Sequence, residues 1–317
     1  MPNILIAGEL HPSGLEIIKQ NPKYSIDYLK EVSNENFLPY LKNADALIIR
    51  TQTLKKNHIE KAKKLKIVSR HGVGYDNVDY QELKKRNIPL TIVGDVNSTS
   101  VSEHTMMLIV SVFKKIILAD FSTRNSLWNY RNNYEPRELY GKNLLIIGFG
   151  RIGKKLGKLA KAFGMNIHVY DPYIENKFDE YEIRYFQNLT TALCNADCIS
   201  LNLPKVDKPI ITKENSQYLK HGVVIINTAR GELIEEKVLQ DGIQKGVISG
   251  VGLDVFDREP VEKNHCLFKY KQVIFTPHQA GLSQEAAQRM SIKSINNILD
   301  YYDGSLDSSL IVNGVKI

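Results

Sequence analysis

The chain has 317 residues, of which 43% are hydrophobic and 24% charged, so it can bury a sizeable core, and the usual size range predicts about two domains. No apolar run approaches the ~20 residues needed to span a bilayer and no basic, apolar leader opens the chain, so a soluble cytoplasmic protein without a membrane partner is expected. The formal net charge is +7, but the lysines are scattered along helical faces, as in "KKNHIEKAKKLK", without interleaved aromatics; this argues against a nucleic-acid partner and leaves attraction of a small anion as the residual role for the charge.

From the N-terminus, short apolar runs alternate with amphipathic ones: "NILIAG", "HPSGLEIIKQ", "SIDYL", "NENFLPYLKN", "DALIIR", "KKNHIEKAKKL", "KIVSR", "DYQELKKRN" and "PLTIV". β-rich runs divided by helical patterns predict a parallel sheet with helices on its faces. Inside this series "GVGYDN", Gly72 to Asn77, follows a strand but lacks a third glycine. It reads either as a plain tight turn or as a backbone loop at the carboxyl edge of the sheet, where open α/β sheets bind ligands.

Next comes "NSTSVSEHTMMLIVSVFKKIILAD", in which Ser100 and Glu103 have capping-box spacing and Met106 to Leu118 are apolar on nearly every side. A helix without a polar face must be covered all round. Two readings stay open: a core helix, or one that crosses between domains and also packs on a second subunit.

A second α/β series runs from Asn143 to about Phe275, and "SQEAAQRMSIKSINNILDYYDG" predicts one long helix ending at Gly304. The series opens with Gly148, Gly150 and Gly153 as G-x-G-x-x-G, directly after "NLLII" and before "RIGKKLGKLAKAFG". Gly148 allows a tight reversal, Gly150 lets a pyrophosphate approach the backbone at a helix N-terminus, and Gly153 permits close helix–strand packing. The next strand, "NIHVY", ends in Asp171, 18 residues after Gly153, near the ~20 expected of a ribose-binding acid. A carboxylate there accepts from both ribose hydroxyls and repels a 2′-phosphate, so NAD is the expected cofactor rather than NADP. Cys194, Cys198 and Cys266 lack metal-ligand spacing and read as packing residues in a reducing compartment, and no metal site is expected.

Hydride transfer at a carbonyl needs an acid/base at the oxygen, a group that tunes it, and a cation for the substrate's charge. Arg230 after "VVIINTA", Glu259 after "LDVFDR" and His278 after "VIFTP" stand at the ends of successive strands. Each alone would be an ordinary surface charge or structural histidine; together, on a sheet edge that already carries a dinucleotide motif, they are the catalytic candidates.

With these residues in view, the sequence resembles the D-isomer-specific 2-hydroxyacid dehydrogenases along nearly its whole length, through "SRHGVGYDNVD", "NSTSVSEHT", "GKNLLIIGFGRIGKKLGKLAKAFGM", "NTARGELI", "GLDVFDREP" and "TPHQAG". The resemblance implies two Rossmann-like doubly wound parallel-sheet domains, the dinucleotide-binding domain (100–283) inserted into a discontinuous, flavodoxin-like substrate-binding domain (1–99 and 284–317). It implies that Arg230 binds the substrate carboxylate and carbonyl, that His278 is the general acid or base, and that Glu259 hydrogen-bonds and orients the imidazole. Gly148, Gly150, Arg151, Ile152, Gly153, Asp171, Pro204, Thr228, Ala229 and Asp254 would line the dinucleotide, and the backbone of Val73 and Gly74 would bind a substrate carboxylate. The resemblance also implies a homodimer through the helix around Met106 to Leu118.

Arg50 and Arg70 match positions where phosphoglycerate dehydrogenases contact the substrate phosphate, which makes 3-phosphoglycerate and 3-phosphohydroxypyruvate the leading pair. His71 and "IVGDVNSTS" depart from that pattern and keep a hydroxypyruvate or glyoxylate reductase as the alternative. From another class, an NAD-sensing, co-repressor-like binding protein resembles the same family, but the extra partner-binding segments it would need are not apparent here. The chain stops at Ile317, soon after the last helix, and an appended regulatory module is not expected.

Overall fold

A computed structural model describes residues 1–174 and 182–317. It divides into two compact units, Met1–Asn97 with Leu282–Ile317, and Ser98–Gly281.

The first unit is built on five parallel strands, β1 (Asn3–Ala7), β2 (Ser25–Leu29), β3 (Ala46–Ile49), β4 (Ile67–Arg70) and β5 (Leu90–Thr91). They lie in the order β2-β1-β3-β4-β5, the flavodoxin-like arrangement. The helices between them are α1 (Pro12–Lys19), α2 (Asn34–Leu41), α3 (Lys56–Lys61) and α4 (Tyr80–Lys85). The central strands read as unbroken apolar runs because both faces are covered. Leu5, Leu47, Ile49 and Val68 pack with Leu41, Ile59 and Leu83 on one face. Ile4, Ile6, Ile48 and Ile67 pack on the other with Ile18 and with Ile295 and Ile298, which come from the end of the chain.

The second unit carries seven parallel strands, β6 (Asn143–Ile147), β7 (Asn166–Tyr170), β8 (Arg184–Phe186), β9 (Cys198–Leu201), β10 (Val223–Asn227), β11 (Ile248–Leu253) and β12 (Val273–Phe275), in the order β12-β11-β10-β9-β6-β7-β8. The strand sequence reverses direction between β6 and β9, which is the switch point at which such sheets bind ligands. Its helices are α5 (Ser98–Lys114), α6 (Ile116–Arg124), α7 (Arg151–Ala162), α8 (Leu189–Cys194) and α9 (Glu236–Gln244). On α7 the buried face is Gly153, Leu156, Gly157 and Ala160, while Lys154 and Lys158 face solvent. The last helix, α10 (Gln284–Tyr302), belongs to the first unit. The Ser283 hydroxyl caps it by accepting from the Ala286 amide at 3.1 Å, and it runs out at Gly304, φ +72°, as its sequence pattern predicts.

Two expectations for the apolar helix fail. The capping-box pair is not used: the helix already begins at Ser98, and Ser100 lies inside it with its hydroxyl donating to the Ala280 carbonyl at 2.7 Å. Nor does one helix run through Leu118. Lys115 turns left-handed, φ +53°, while its Nζ donates to the Ser249 carbonyl at 3.0 Å, and the chain restarts as α6. Met106, Leu108, Ile109, Val112 and Phe113 are buried against the sheet and α7. Met107, Ile116, Ile117 and Phe121 are exposed, so the segment is not covered all round.

Candidate active site

Because every strand of the second unit runs the same way, the loops after β6, β7, β9, β10, β11 and β12 all emerge at one edge of the sheet. That edge collects the glycine turn, Asp171, Pro204, Arg230, Asp254 and His278.

Gly148 sits at φ +87°, and a Cβ there would lie 2.7 Å from the Asn202 carbonyl oxygen, so only glycine fits. At Gly153 a Cβ would come 2.5 Å from the Gly148 oxygen, which keeps α7 tight against the turn. The space beside Gly150 is open, with no atom within 4 Å of where its Cβ would stand, and Arg151 and Ile152 begin α7 directly after it. An open cradle at a helix N-terminus with no acidic residue in its first turn suits a pyrophosphate. Asp171, at the end of β7, is tied into the same turn: Oδ2 accepts from the Phe149 amide at 2.8 Å and Oδ1 from the Tyr173 amide at 3.0 Å.

At the other side of the switch point, Asn227 ends β10 almost fully buried. Its side chain accepts from the Ala229 amide at 3.0 Å and donates to the Arg230 carbonyl at 2.7 Å, shaping the turn that bears Arg230. Sequence reasoning passed over this residue, although "NTARG" held the signal: an Asn heading a strand-to-helix turn is a common way to satisfy a turn's backbone. Glu259 and His278, from the loops after β11 and β12, meet directly, with Oε2 accepting from Nδ1 at 2.6 Å. Oε1 accepts from the Phe256 amide at 3.0 Å. Burial alone would raise the Glu259 carboxyl. Its bonds to His278 and the Phe256 N–H, with the nearby charges of His278 and Arg230, outweigh that and hold it below the usual carboxylate range. Arg230 is thus near enough for its charge to act on the Glu259 carboxylate. The His278 ring is half exposed and its backbone is left-handed, φ +50°.

Asp254, expected among the groups lining the dinucleotide, is bonded to the turn that carries His278. It is fully buried, with Oδ1 accepting from Thr276 Oγ1 at 2.5 Å and the Gln279 amide at 2.9 Å, and Oδ2 from the Ala280 amide at 2.8 Å. Thr228 is buried too, its hydroxyl 2.8 Å from that of Thr105 on α5. Pro204 is exposed and Ala229 partly so. Cys266 is more than packing: its thiol donates to Glu236 Oε1 at 2.8 Å, while Glu236 Oε2 pairs with His265 Nε2 at 2.8 Å. Cys198 is fully buried in β9, and Cys194 is exposed.

In the first unit, Arg50 directly follows β3 and Arg70 ends β4, paired in the parallel register with Ile49, the residue before Arg50. Arg50 Nη1 donates to the Glu9 carbonyl at 3.1 Å, and Arg70 Nη1 donates to the carbonyl of His71. His71, the residue after Arg70, is buried. Burial first, then the charges of Arg50 and Arg70, push its pKa down to about 3, so the imidazole is neutral. Val73 and Gly74 follow in the loop, partly exposed, after Gly72 at φ +148°.

Known proteins agree with this architecture. Residues 106–280 match the family model described as "D-isomer specific 2-hydroxyacid dehydrogenase, NAD binding domain", which makes the second unit a nicotinamide-dinucleotide-binding domain. A D-3-phosphoglycerate dehydrogenase of Methanocaldococcus jannaschii is 38% identical over 91% of this chain and 55% of its own length. A glyoxylate reductase of Korarchaeum cryptofilum is 30% identical over 98% of this chain and 96% of its own. The chain therefore spans about half the length of that phosphoglycerate dehydrogenase and nearly all of the glyoxylate reductase. A crystal structure of a Pyrococcus horikoshii protein, 29% identical, superposes with a TM-score of 0.80 and covers 99% of this chain and 96% of that one. With a matching NAD-binding unit and relatives aligned along almost its whole length, the chain belongs to the D-isomer specific 2-hydroxyacid dehydrogenase family.

Proposed function

We propose that the protein is an NAD-dependent oxidoreductase that interconverts a small 2-oxo acid and its D-2-hydroxy acid. The observation that carries this reading is the 2.6 Å contact between His278 and Glu259, within reach of the charge of Arg230, on the sheet edge that also bears the glycine turn. The turn at Gly148, Gly150 and Gly153 with Arg151 and Ile152 would hold the pyrophosphate, Asp171 the ribose, and Pro204, Thr228, Ala229 and Asp254 the remaining surface, with Asp254 also holding the His278 turn. When bound, the dinucleotide supplies or accepts the hydride.

The chain's own residues manage charge and proton. Glu259 occupies Nδ1 of His278, which leaves Nε2 as the ring nitrogen that gives a proton to the substrate oxygen in reduction and takes it back in oxidation. Arg230 offers a planar fork suited to a carboxylate and the adjacent carbonyl, holding C2 in line for transfer. Arg50, Arg70 and the backbone of Val73 and Gly74 would bind the substrate's anionic groups.

The leading substrate pair is 3-phosphoglycerate and 3-phosphohydroxypyruvate, supported by two guanidinium groups close enough to depress the same imidazole. Hydroxypyruvate or glyoxylate is the second reading. It is favoured by the internal bonds of Arg50 to Glu9 and Arg70 to His71, which occupy donors a phosphate would need. The reading includes a cytoplasmic location, in keeping with cysteines that are all free; among the described residues no helix is long and apolar enough to cross a membrane. It also includes a homodimer through α5 and α6, whose exposed Met107, Ile116, Ile117 and Phe121 offer an apolar face.

The test follows NADH consumption against 3-phosphohydroxypyruvate, hydroxypyruvate, glyoxylate and pyruvate. Turnover of at least one supports the reading, and none with saturating NADH overturns it. If phosphate is read by the arginines, Arg50→Gln and Arg70→Gln lower kcat/KM for 3-phosphohydroxypyruvate roughly tenfold or more while changing that for glyoxylate far less, as loss of a charge-assisted contact requires.

A further inference from the structure

Asp254, directly after β11, is a buried carboxylate, and the turn from Thr276 to Ala280 is wrapped around it. Besides the three bonds to its side chain, its carbonyl accepts from the His278 amide at 2.8 Å. His278 is held left-handed inside that grip, a conformation unfavourable for a non-glycine residue that persists only where the surroundings enforce it.

Besides Ser100, whose hydroxyl donates to the Ala280 carbonyl, a second side chain of α5 reaches this network. His104, on α5, has Nε2 3.0 Å from Thr276 Oγ1 and 3.6 Å from Asp254 Oδ1. The single hydroxyl proton of Thr276 goes to Asp254, so its oxygen accepts and His104 must present Nε2–H. Burial holds the imidazole's pKa down although the Asp254 charge opposes it. The order His104, Thr276, Asp254, then the amides of His278, Gln279 and Ala280, is one continuous polar chain from α5 to the residue that faces Glu259.

We infer that His104 is a positioning residue for His278: by donating to Thr276 it fixes the Thr276–Asp254 bond and hence the left-handed turn that presents the His278 imidazole to Glu259 and substrate. The inference rests on His278 being the proton donor. A histidine that merely filled space on α5 would be replaceable by any side chain of similar volume. This one needs a donor at the position of Nε2.

The experiment compares His104→Leu, which keeps volume and loses the donor, with His104→Gln, whose amide nitrogen restores it, and Thr276→Val with Thr276→Ser. With a 2-oxo acid turned over by the wild type, His104→Leu and Thr276→Val are expected to lower kcat about tenfold or more while the Kd for NADH stays within about twofold. His104→Gln and Thr276→Ser should recover to within about threefold. The His104→Leu/Thr276→Val double variant should be no worse than the weaker single, since both break one chain. The pH at which kcat/KM of His104→Leu breaks should move relative to wild type, because the His278–Glu259 contact is loosened. Turnover of His104→Leu within twofold of wild type, equal loss in the Leu and Gln variants, or multiplying losses in the double would overturn the inference. If His104→Leu does not fold by circular dichroism, the Thr276 pair decides. His278→Gln separates the two levels: if it retains wild-type turnover the functional reading fails, whereas an inactive His278→Gln beside a fully active His104→Leu sinks this inference alone.

Discussion

His278 Nδ1 and Glu259 Oε2 lie 2.6 Å apart, joining the loop after β12 to the loop after β11. A carboxylate on one ring nitrogen fixes the tautomer and leaves the other nitrogen for chemistry. His278→Gln is therefore expected to lower kcat by roughly 10²–10⁴ with NADH affinity nearly unchanged. Glu259→Gln, which keeps an oxygen near Nδ1 but removes the charge, should fall between. Steady-state kinetics with NADH binding by fluorescence checks both, and a parallel loss of turnover and NADH affinity would show that His278 holds the cofactor instead.

Asp171 has two jobs that one substitution would confuse. Its carboxylate braces the glycine turn through the Phe149 amide, and it is proposed to read the ribose. Asp171→Ala should relax the NAD over NADP preference and also destabilise the turn, by about 1–3 kcal/mol for a lost acceptor. Asp171→Asn retains an acceptor for the amide and removes the charge, so it should relax the preference at smaller cost in thermal stability. An unchanged ratio of kcat/KM values in both variants would locate the discrimination elsewhere.

Two buried histidines give stability a definite dependence on acid. Burial and the charge of Arg184, opposed by Asp197, bring His168 down to about 4, and His71 lies at about 3. An unfolded histidine protonates near 6.5. Between about pH 6.5 and 4 the unfolded chain thus binds more protons than the folded one, and stability falls as the pH is lowered, by up to about 1.4 kcal/mol per pH unit for each histidine. Denaturant melts over this window should show that slope, and His168→Leu should flatten it. An identical slope in the variant would refute the assignment.

The face formed by Ile116, Ile117 and Phe121 is apolar and exposed. Ile117→Asp with Phe121→Asp should leave the circular dichroism of the chain intact and convert a dimer to a monomer in sedimentation velocity. A wild type that is monomeric at micromolar concentration would remove the basis for a dimer through α6.

Periodicity, strand-end loops and the G-x-G-x-x-G spacing were legible because they are local: a parallel strand covered on both faces is apolar whatever its neighbours, and a turn under a pyrophosphate must be glycine at set positions. Arg230, Glu259 and His278 could be nominated for a related reason, since each follows a strand and all parallel strands deliver their ends to one edge. The long apolar segment misled because hydrophobicity cannot show a break. Lys115 turns the chain there while its ammonium bonds a carbonyl far along the sequence. The bonds that the Thr276–Ala280 turn makes to Asp254 were hidden for the same reason, as nothing near that residue in sequence reveals them.

The amino-acid order by itself determined which segments become strands and helices, where the dinucleotide turn lies and which polar residues crowd the sheet edge, because these depend on near neighbours along the chain. Tertiary structure alone decided that Asp254 and His104 bond to the turn that carries His278, and that α5 ends at Lys114. Those outcomes depend on which groups burial forces to find partners across long separations, and a buried polar atom takes its partner from whatever the fold brings within about 3 Å.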